Sequence, residues 1–334
     1  MRILVTGANG FVGRHLVTVL VEGGHRVTAT VRRADADLPA GIAEIHAVGD
    51  IGPDTDWTGV LEGIDAVIHL AARVHVMREI CPGPRSGTGP DPLSRFRRVN
   101  ALGTECLARA AARAGVGHLV YLSSVKVHGE TSPSGAPFTE TMAPAPEDPY
   151  GLSKWEAEQA LARIAGDTGL GVTVFRPPLI YGPGVRANFA RLVEAVRRGV
   201  PLPFGSVQNR RSLVYVGNLA DAIAASLSRT EAIGQTFLVS DGPALSTAEL
   251  VRSIAQALQC RPRLLAIPPA LLRLAGALTG KRAEIGRLLG NLAVDDSLLR
   301  ARLGWRPPYG LREGLAATVP EPPRPGRSRR MHRI

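Results

Sequence analysis

Residues 3–17, "ILVTGANGFVGRHLV", carry an apolar strand pattern into a glycine-rich turn and out into a helical one. Gly7, Gly10 and Gly13 punctuate that turn. Glycine at 7 permits the tight reversal, and at 10 it lets backbone N–H groups approach a pyrophosphate. At 13 it lets the helix pack closely on the strand. The spacing is G-x-x-G-x-x-G, not the G-x-G-x-x-G of the simple dinucleotide fingerprint. Strand, turn and helix in that order are the first unit of a parallel α/β sheet.

The remainder of the first half repeats the unit. Strand patterns over 2–7, 26–32, 44–51, 64–72, 118–124 and 172–178 alternate with helical patterns near 11–22, 98–114 and 150–165. Short turns join them, as in a doubly wound sheet. Residues 78–95 are rich in Gly and Pro and read as a mobile loop over the sheet. Beyond 178 the rhythm loosens into helices over 187–199, 217–229, 246–258 and 268–290, a strand over 235–242, and a closing segment over 303–315. The expected architecture is therefore α/β. A Rossmann-type doubly wound parallel sheet over 1–178 binds the dinucleotide, and a smaller substrate-binding lobe spans 179–315. The strand near 235–240 returns to the main sheet, and 316–334 form a basic, disordered tail.

Bulk properties exclude several classes. Cys81, Cys106 and Cys260 are too scattered for a disulfide framework or a zinc site, so no metal and a reducing cytoplasm are expected. The chain enters its first strand at once, without a secretory leader pattern. The apolar stretch 264–280 is interrupted by Pro268, Pro269 and Arg273, so no membrane span is expected. The net charge is +11, but the segment "PRPGRSRRMHRI" at the C-terminus supplies five arginines and no acid. Nucleic acid is accordingly not an expected partner.

Chemistry concentrates in "EDPYGLSKWEAEQAL" (147–161), where Tyr150 and Lys154 are four residues apart and share a helix face. Lysine is rare here, at 126, 154 and 281 only, against 37 arginines. A compact ammonium fits beside a phenol and a sugar hydroxyl where a planar guanidinium does not. A free phenol, with a pKa near 10, is a poor base at neutral pH, and a neighbouring ammonium favours its phenolate. The end of the second strand reads Val31, Arg32, Arg33, with no acid until Asp35. An acid there would bond the ribose hydroxyls of NAD, whereas Arg32 suits the 2′-phosphate of NADP. NADP(H) is therefore favoured, with NAD(H) the alternative.

The glycine turn, "GDI" (49–51), "HLAA" (69–72), "VNALGT" (99–104), "LSSVKVHG" (122–129), "YGLSK" (150–154) and "RPPLIYGPG" (176–184) occur in that order. Together they resemble the extended short-chain dehydrogenase/reductase family, in its sugar-nucleotide epimerase, dehydratase and reductase branch, over residues 1–315. The resemblance implies a catalytic trio of Ser124, Tyr150 and Lys154, the last two also touching the cofactor. It implies that Phe11 and Val12 join the three glycines in holding the cofactor, and that Asp50 and Ile51 flank the adenine. Leu70, Ala71 and Ala72 would line the path to the nicotinamide ribose, Asn100 would organise the helix beneath the site, and Pro178 would lie against the nicotinamide.

Two departures narrow the branch. The 4,6-dehydratases carry Asp-Glu after the serine position, and here Val125 and Lys126 stand instead. The acid missing from the end of strand two tilts the reading toward reduction. "SSVKVHGE", "DPYGLSKWEAEQ" and "FGSVQNRRSLVYVGNLADAI" resemble bacterial reductases that make UDP-N-acetylquinovosamine for surface polysaccharide. The implied substrate contacts are Lys126, Arg211 and then Arg210 on the diphosphate, and Asn188. The expected reaction is NADPH-dependent reduction of the C4 ketone of a UDP-4-keto-6-deoxy-N-acetylhexosamine by a homodimer. The alternatives are a UDP-hexose 4-epimerase with tightly bound NAD, and a non-catalytic NADP-sensing or RNA-associated protein.

Overall fold

The computed structural model describes residues 1–74, 91–133, 135–280 and 282–319. Seven parallel strands form the main sheet: β1 (Arg2–Thr6), β2 (Arg26–Val31), β3 (Glu44–Ala47), β4 (Ala66–His69), β5 (His118–Leu122), β6 (Gly171–Arg176) and β9 (Thr236–Leu238). Their order is β3-β2-β1-β4-β5-β6-β9. The chain winds outward from β1 through β2 to β3, then crosses to β4 on the other side of β1. The order reverses there, which opens a crevice at the C-terminal ends of β1 and β4.

Both faces of the sheet are covered except at the edge strand β3, so the inner strands read as continuous apolar runs. Side chains alternate across a strand: Ile3 and Val5 pack with Leu16, Leu20 and Ile223 on one face, while Leu4 packs with Leu107, Leu119 and Leu161 on the other. The first face carries α1 (Phe11–Glu22) and α6 (Val216–Leu227); the second carries α3 (Gly103–Arg113) and α4 (Pro149–Thr168). The lobe adds α5 (Ala187–Arg197), α7 (Thr247–Ala257), α8 (Pro269–Leu278), α9 (Arg282–Leu289), α10 (Ser297–Leu303) and α11 (Leu311–Thr318). A two-stranded parallel ladder, β7 (Leu179–Tyr181) with β8 (Leu213–Tyr215), leads into it.

Several expected elements differ. The helix expected near 98–114 is composite: α2 (Pro92–Phe96), a π-helical turn (Arg97–Leu102) and then α3. The helix expected over 268–290 is two, because Gly280 adopts φ +70° and breaks it between α8 and α9. The segment expected to close the fold at 315 continues as α11 to Thr318, and Val319 behind it is buried. The β7–β8 ladder has no counterpart in the sequence reading, since three residues per strand are too few for a periodic signal. Most of the expected 78–95 loop, and residues 320–334, lie outside the described residues; 92–96, at its end, are helical.

Candidate active site

The glycine turn closes on itself and on the segment after β4. Gly7 holds φ +70°, and a Cβ there would lie 2.9 Å from the Ala71 amide nitrogen. A Cβ at Gly13 would sit 2.2 Å from the Gly7 carbonyl oxygen and 2.8 Å from Ala8 Cα, so only glycine lets α1 begin this close to β1. At Gly10 a Cβ would meet only the Gly7 oxygen, at 3.0 Å. Gly10 is the N-cap of α1 and offers no capping side chain, and the first turn carries no acid. The amides that open α1 are thus left for an anion at the crevice. This cradle, open to backbone approach, fits a dinucleotide pyrophosphate. Phe11 and Val12 are its next two residues.

Across the crevice, Leu70, Ala71 and Ala72 leave the end of β4, and the Thr6 hydroxyl accepts the Ala71 N–H at 3.2 Å. Beneath them His69 is fully buried between the hydroxyls of Thr6 (2.7 Å) and Thr104 (2.9 Å). Burial, with the Lys154 charge adding to it, pulls this imidazole down to about 3 and keeps it neutral. Its ring stacks on Tyr121 at 5.7 Å.

Lys154 also lies against the Tyr121 ring. Its Nζ lies 4.6 Å over the Tyr121 ring and donates to the Leu122 carbonyl at 2.8 Å, with the residue only 2% exposed. Burial lowers its pKa to about 7, opposed by the Glu158 charge. Tyr150 sits in the first turn of α4, after Pro149 and the N-cap Asp148, whose carboxylate accepts the Gly151 N–H at 2.6 Å. Proline at N1 and aspartate at the cap are strong start signals, and they fix where Tyr150 falls. Its ring meets the edge of Phe96 and lies 6.0 Å from Lys154 Nζ. Burial and the Asp148 charge push its phenol up, while a hydrogen bond with Ser124 works the other way. The structure thus brings Ser124, Tyr150 and Lys154 together where β5 ends and α4 begins.

Asn100, in the π-helical turn, ties this corner together. Its side chain accepts from the Arg73 N–H at 2.7 Å and donates to the Arg73 carbonyl at 3.0 Å and to Ser153 Oγ at 2.9 Å. Ser153 in turn donates to the Tyr150 carbonyl. Pro178 is buried just past β6, and the preceding Pro177 carbonyl accepts the Val125 N–H at 3.0 Å. At the outer end of the crevice Ile51 is buried and Asp50 exposed. Arg32 Nη1 lies 3.6 Å from Asp50 Oδ1, with the Arg32 side chain 79% exposed.

The expected substrate contacts fare differently. Lys126 does not stand open to a substrate. Its Nζ bridges Glu130 and Asp148, each at 2.6 Å, because the Val125–Val127 turn packs against the start of α4. Removing that cation would leave two half-buried carboxylates side by side. Lys126→Met is expected to lower stability by about 1–3 kcal/mol, read as a lower thermal midpoint; an unchanged midpoint would show that the bridge is idle. Arg211 Nη1 donates to the carbonyls of Arg287 (2.6 Å) and Gly290 (3.2 Å), holding α9 to the lobe, while Arg210 reaches the Ala244 carbonyl. Asn188 is exposed in the first turn of α5. Arg210 and Arg211 thus bond to Asn291, Ala244, Arg287 and Gly290, away from the trio.

The sequence reading missed a buried ionic cluster under the site. Glu158 pairs with Arg176 and accepts from the Ser123 hydroxyl, and Arg176 Nη1 donates to His128 Nε2 at 2.8 Å. Burial, reinforced by Arg176, holds His128 down at about 4. The one signal was Glu158 lying four residues after Lys154, on the same helical face.

Residues 3–240 match the model of the NAD dependent epimerase/dehydratase family. A UDP-glucose 4-epimerase of Vibrio cholerae is 43% identical over 95% of this chain and 94% of its own length. A UDP-glucose 4-epimerase of Mycolicibacterium smegmatis is 32% identical over 96% of this chain and 97% of its own. Among solved structures, MoeE5 in complex with UDP-glucuronic acid and NAD superposes with a TM-score of 0.72 at 30% identity, covering 95% of this chain and 97% of that one. A glycine cradle on a doubly wound sheet, a Tyr and Lys on one helix face beside it, and likeness along nearly the whole length all agree: the chain belongs to the NAD-dependent epimerase/dehydratase family of sugar-nucleotide enzymes.

Proposed function

We propose that this chain is a UDP-hexose 4-epimerase. The observation that carries the reading is the meeting of Ser124, Tyr150 and Lys154 beside the glycine cradle, in a chain so like the Vibrio cholerae epimerase. The dinucleotide, when bound, supplies the hydride acceptor and donor for C4 of the sugar. Gly7, Gly10 and Gly13 would hold its pyrophosphate, with Leu70, Ala71, Ala72 and Pro178 along its path. Tyr150 Oη takes the proton of the C4 hydroxyl and returns it to the ketone oxygen once the opposite ring face is presented. Ser124 holds that oxygen in line. Lys154, kept in place by the Leu122 carbonyl, sets the field at the phenol and bonds the cofactor ribose. Dehydration has no support, because Val125 and Lys126 occupy the positions where it needs acids. The carboxylates that do approach there, Glu130 and Asp148, are engaged by Lys126.

One observation favours a second reading, NADPH-dependent reduction of a UDP-4-keto-6-deoxy-N-acetylhexosamine. The end of β2 presents exposed Arg32 and has no acid until Asp35. Purified enzyme supplied with UDP-glucose separates the two. Formation of UDP-galactose without net change in reduced dinucleotide supports epimerisation. Stoichiometric NADPH oxidation by the keto sugar, with no interconversion of the hexoses, overturns it. Arg32→Asp is expected to shift preference from the phosphorylated to the unphosphorylated dinucleotide by about tenfold or more, because an acid repels the 2′-phosphate and bonds the ribose. Unchanged relative Kd values would mean that the 2′ position is read elsewhere.

A further inference from the structure

The apolar stretch at 264–280 is interrupted too often to span a bilayer, and no helix among the described residues is long and apolar enough to do so. Its use lies in how α8 is covered. Leu272 and Gly276 face the lobe and are buried, Leu272 packing with Val207 and Leu289. Leu271, Leu274 and Leu278 fall at i, i+3 and i+7 on the other side and are 55%, 56% and 79% exposed. Apart from Arg273, α8 is apolar around its circumference, a pattern normally covered on all sides, yet it is covered on one. Leu288, on the packed neighbour α9, is exposed as well.

The charge carried by this part of the sequence points to what covers it. Residues 261–290 hold six basic residues and a single acid, Glu284. Arg273 flanks the leucines on α8, and Arg282 and Arg287 lie exposed on α9. Three leucines along one side of a helix with arginines at their edges match a bilayer surface, with apolar side chains among the acyl chains and cations at anionic headgroups. A second copy of this chain would bring more cations to the face, with too few acids in 261–290 to pair them. We infer that the α8–α9 hairpin docks this protein on the surface of an anionic phospholipid bilayer, with α8 lying in the plane of the interface. The same hairpin carries the Arg287 and Gly290 carbonyls that hold Arg211, so docking takes place beside the lobe's own arginine.

Flotation of the purified full-length chain with extruded vesicles tests this. The protein is expected to float with phosphatidylglycerol–phosphatidylethanolamine vesicles, to float poorly with phosphatidylcholine alone, and to be released by salt. The triple variant Leu271→Gln, Leu274→Gln, Leu278→Gln should lose binding by about tenfold or more while keeping its thermal midpoint and UDP-hexose turnover. If the triple variant unfolds, Leu278→Gln alone, at the most exposed position, should weaken flotation measurably. A full-length chain with its five C-terminal-tail arginines changed to glutamine should keep the leucine-dependent share of binding. Three results would overturn the proposal: flotation unaffected by the leucine changes, binding that follows the tail arginines alone, or a vesicle-free dimer that the same changes dissociate.

Discussion

Tyr150→Phe is expected to lower turnover by about two orders of magnitude or more, the usual consequence of removing a general acid–base group. The ring stays the same size, so its packing against Phe96 is retained. Lys154 keeps the Leu122 carbonyl and the Tyr121 ring as partners. Dinucleotide affinity and the thermal midpoint should therefore move little. The split is what makes the experiment informative: kcat falls while cofactor Kd holds. The phenol in the protein alone is pushed up by burial and by Asp148, so it needs the Lys154 charge and the Ser124 hydrogen bond to exchange a proton at neutral pH. A Tyr150→Phe enzyme with near-wild-type turnover would remove Tyr150 from the chemistry.

Gly13→Ala has the second large effect, and it acts through the backbone. Its Cβ would meet the Gly7 oxygen at 2.2 Å and the Ala8 oxygen at 2.8 Å, and neither backbone atom can swing aside as a side chain would. The start of α1 must move away from β1, at about 1–3 kcal/mol for overpacking of this kind. The amides that open α1 move with it, so dinucleotide affinity should fall by at least about tenfold as well. Gly10→Ala is the control. Gly10 has φ −74°, and its Cβ would find one contact at 3.0 Å, so the fold should survive while the approach of the pyrophosphate is obstructed. Calorimetry on both variants, paired with dinucleotide titration, separates the effects. Equal melting of Gly13→Ala and wild type would show that the turn is looser than its geometry implies.

The main sheet was legible because its determinants are local and periodic. Strand runs buried on both faces and a glycine turn at 7–13 leave few topologies open. The boundaries were less legible. The stretch 64–72 has the composition of one long strand, yet β4 spans only Ala66–His69, and just past it the Ala71 N–H turns to the Thr6 hydroxyl. The π-helical turn at 97–102 has the composition of ordinary helix; its extra residue shows only where Asn100 joins Arg73 to Ser153.

The same division runs through the site. Tyr150 and Lys154 could be paired from sequence because a helix sets their spacing by itself, and the Asp148–Pro149 start signal fixes the frame. Their surroundings could not. Lys126 reads as an available cation, but its charge is taken up by Glu130 and by Asp148, which lies 22 positions away in the chain. His69 and Tyr121, which support Lys154, come from two neighbouring strands. Arg176 and Glu158 find each other across the joint of β6 and α4. Local sequence determined the fold class, the anion cradle and the Tyr–Lys face, because each depends on spacing within one or two elements. Tertiary structure alone decided which charges are cancelled, which histidines stay neutral and which leucines are left outside. Those outcomes depend on what the completed fold brings within a few ångströms and shields from water.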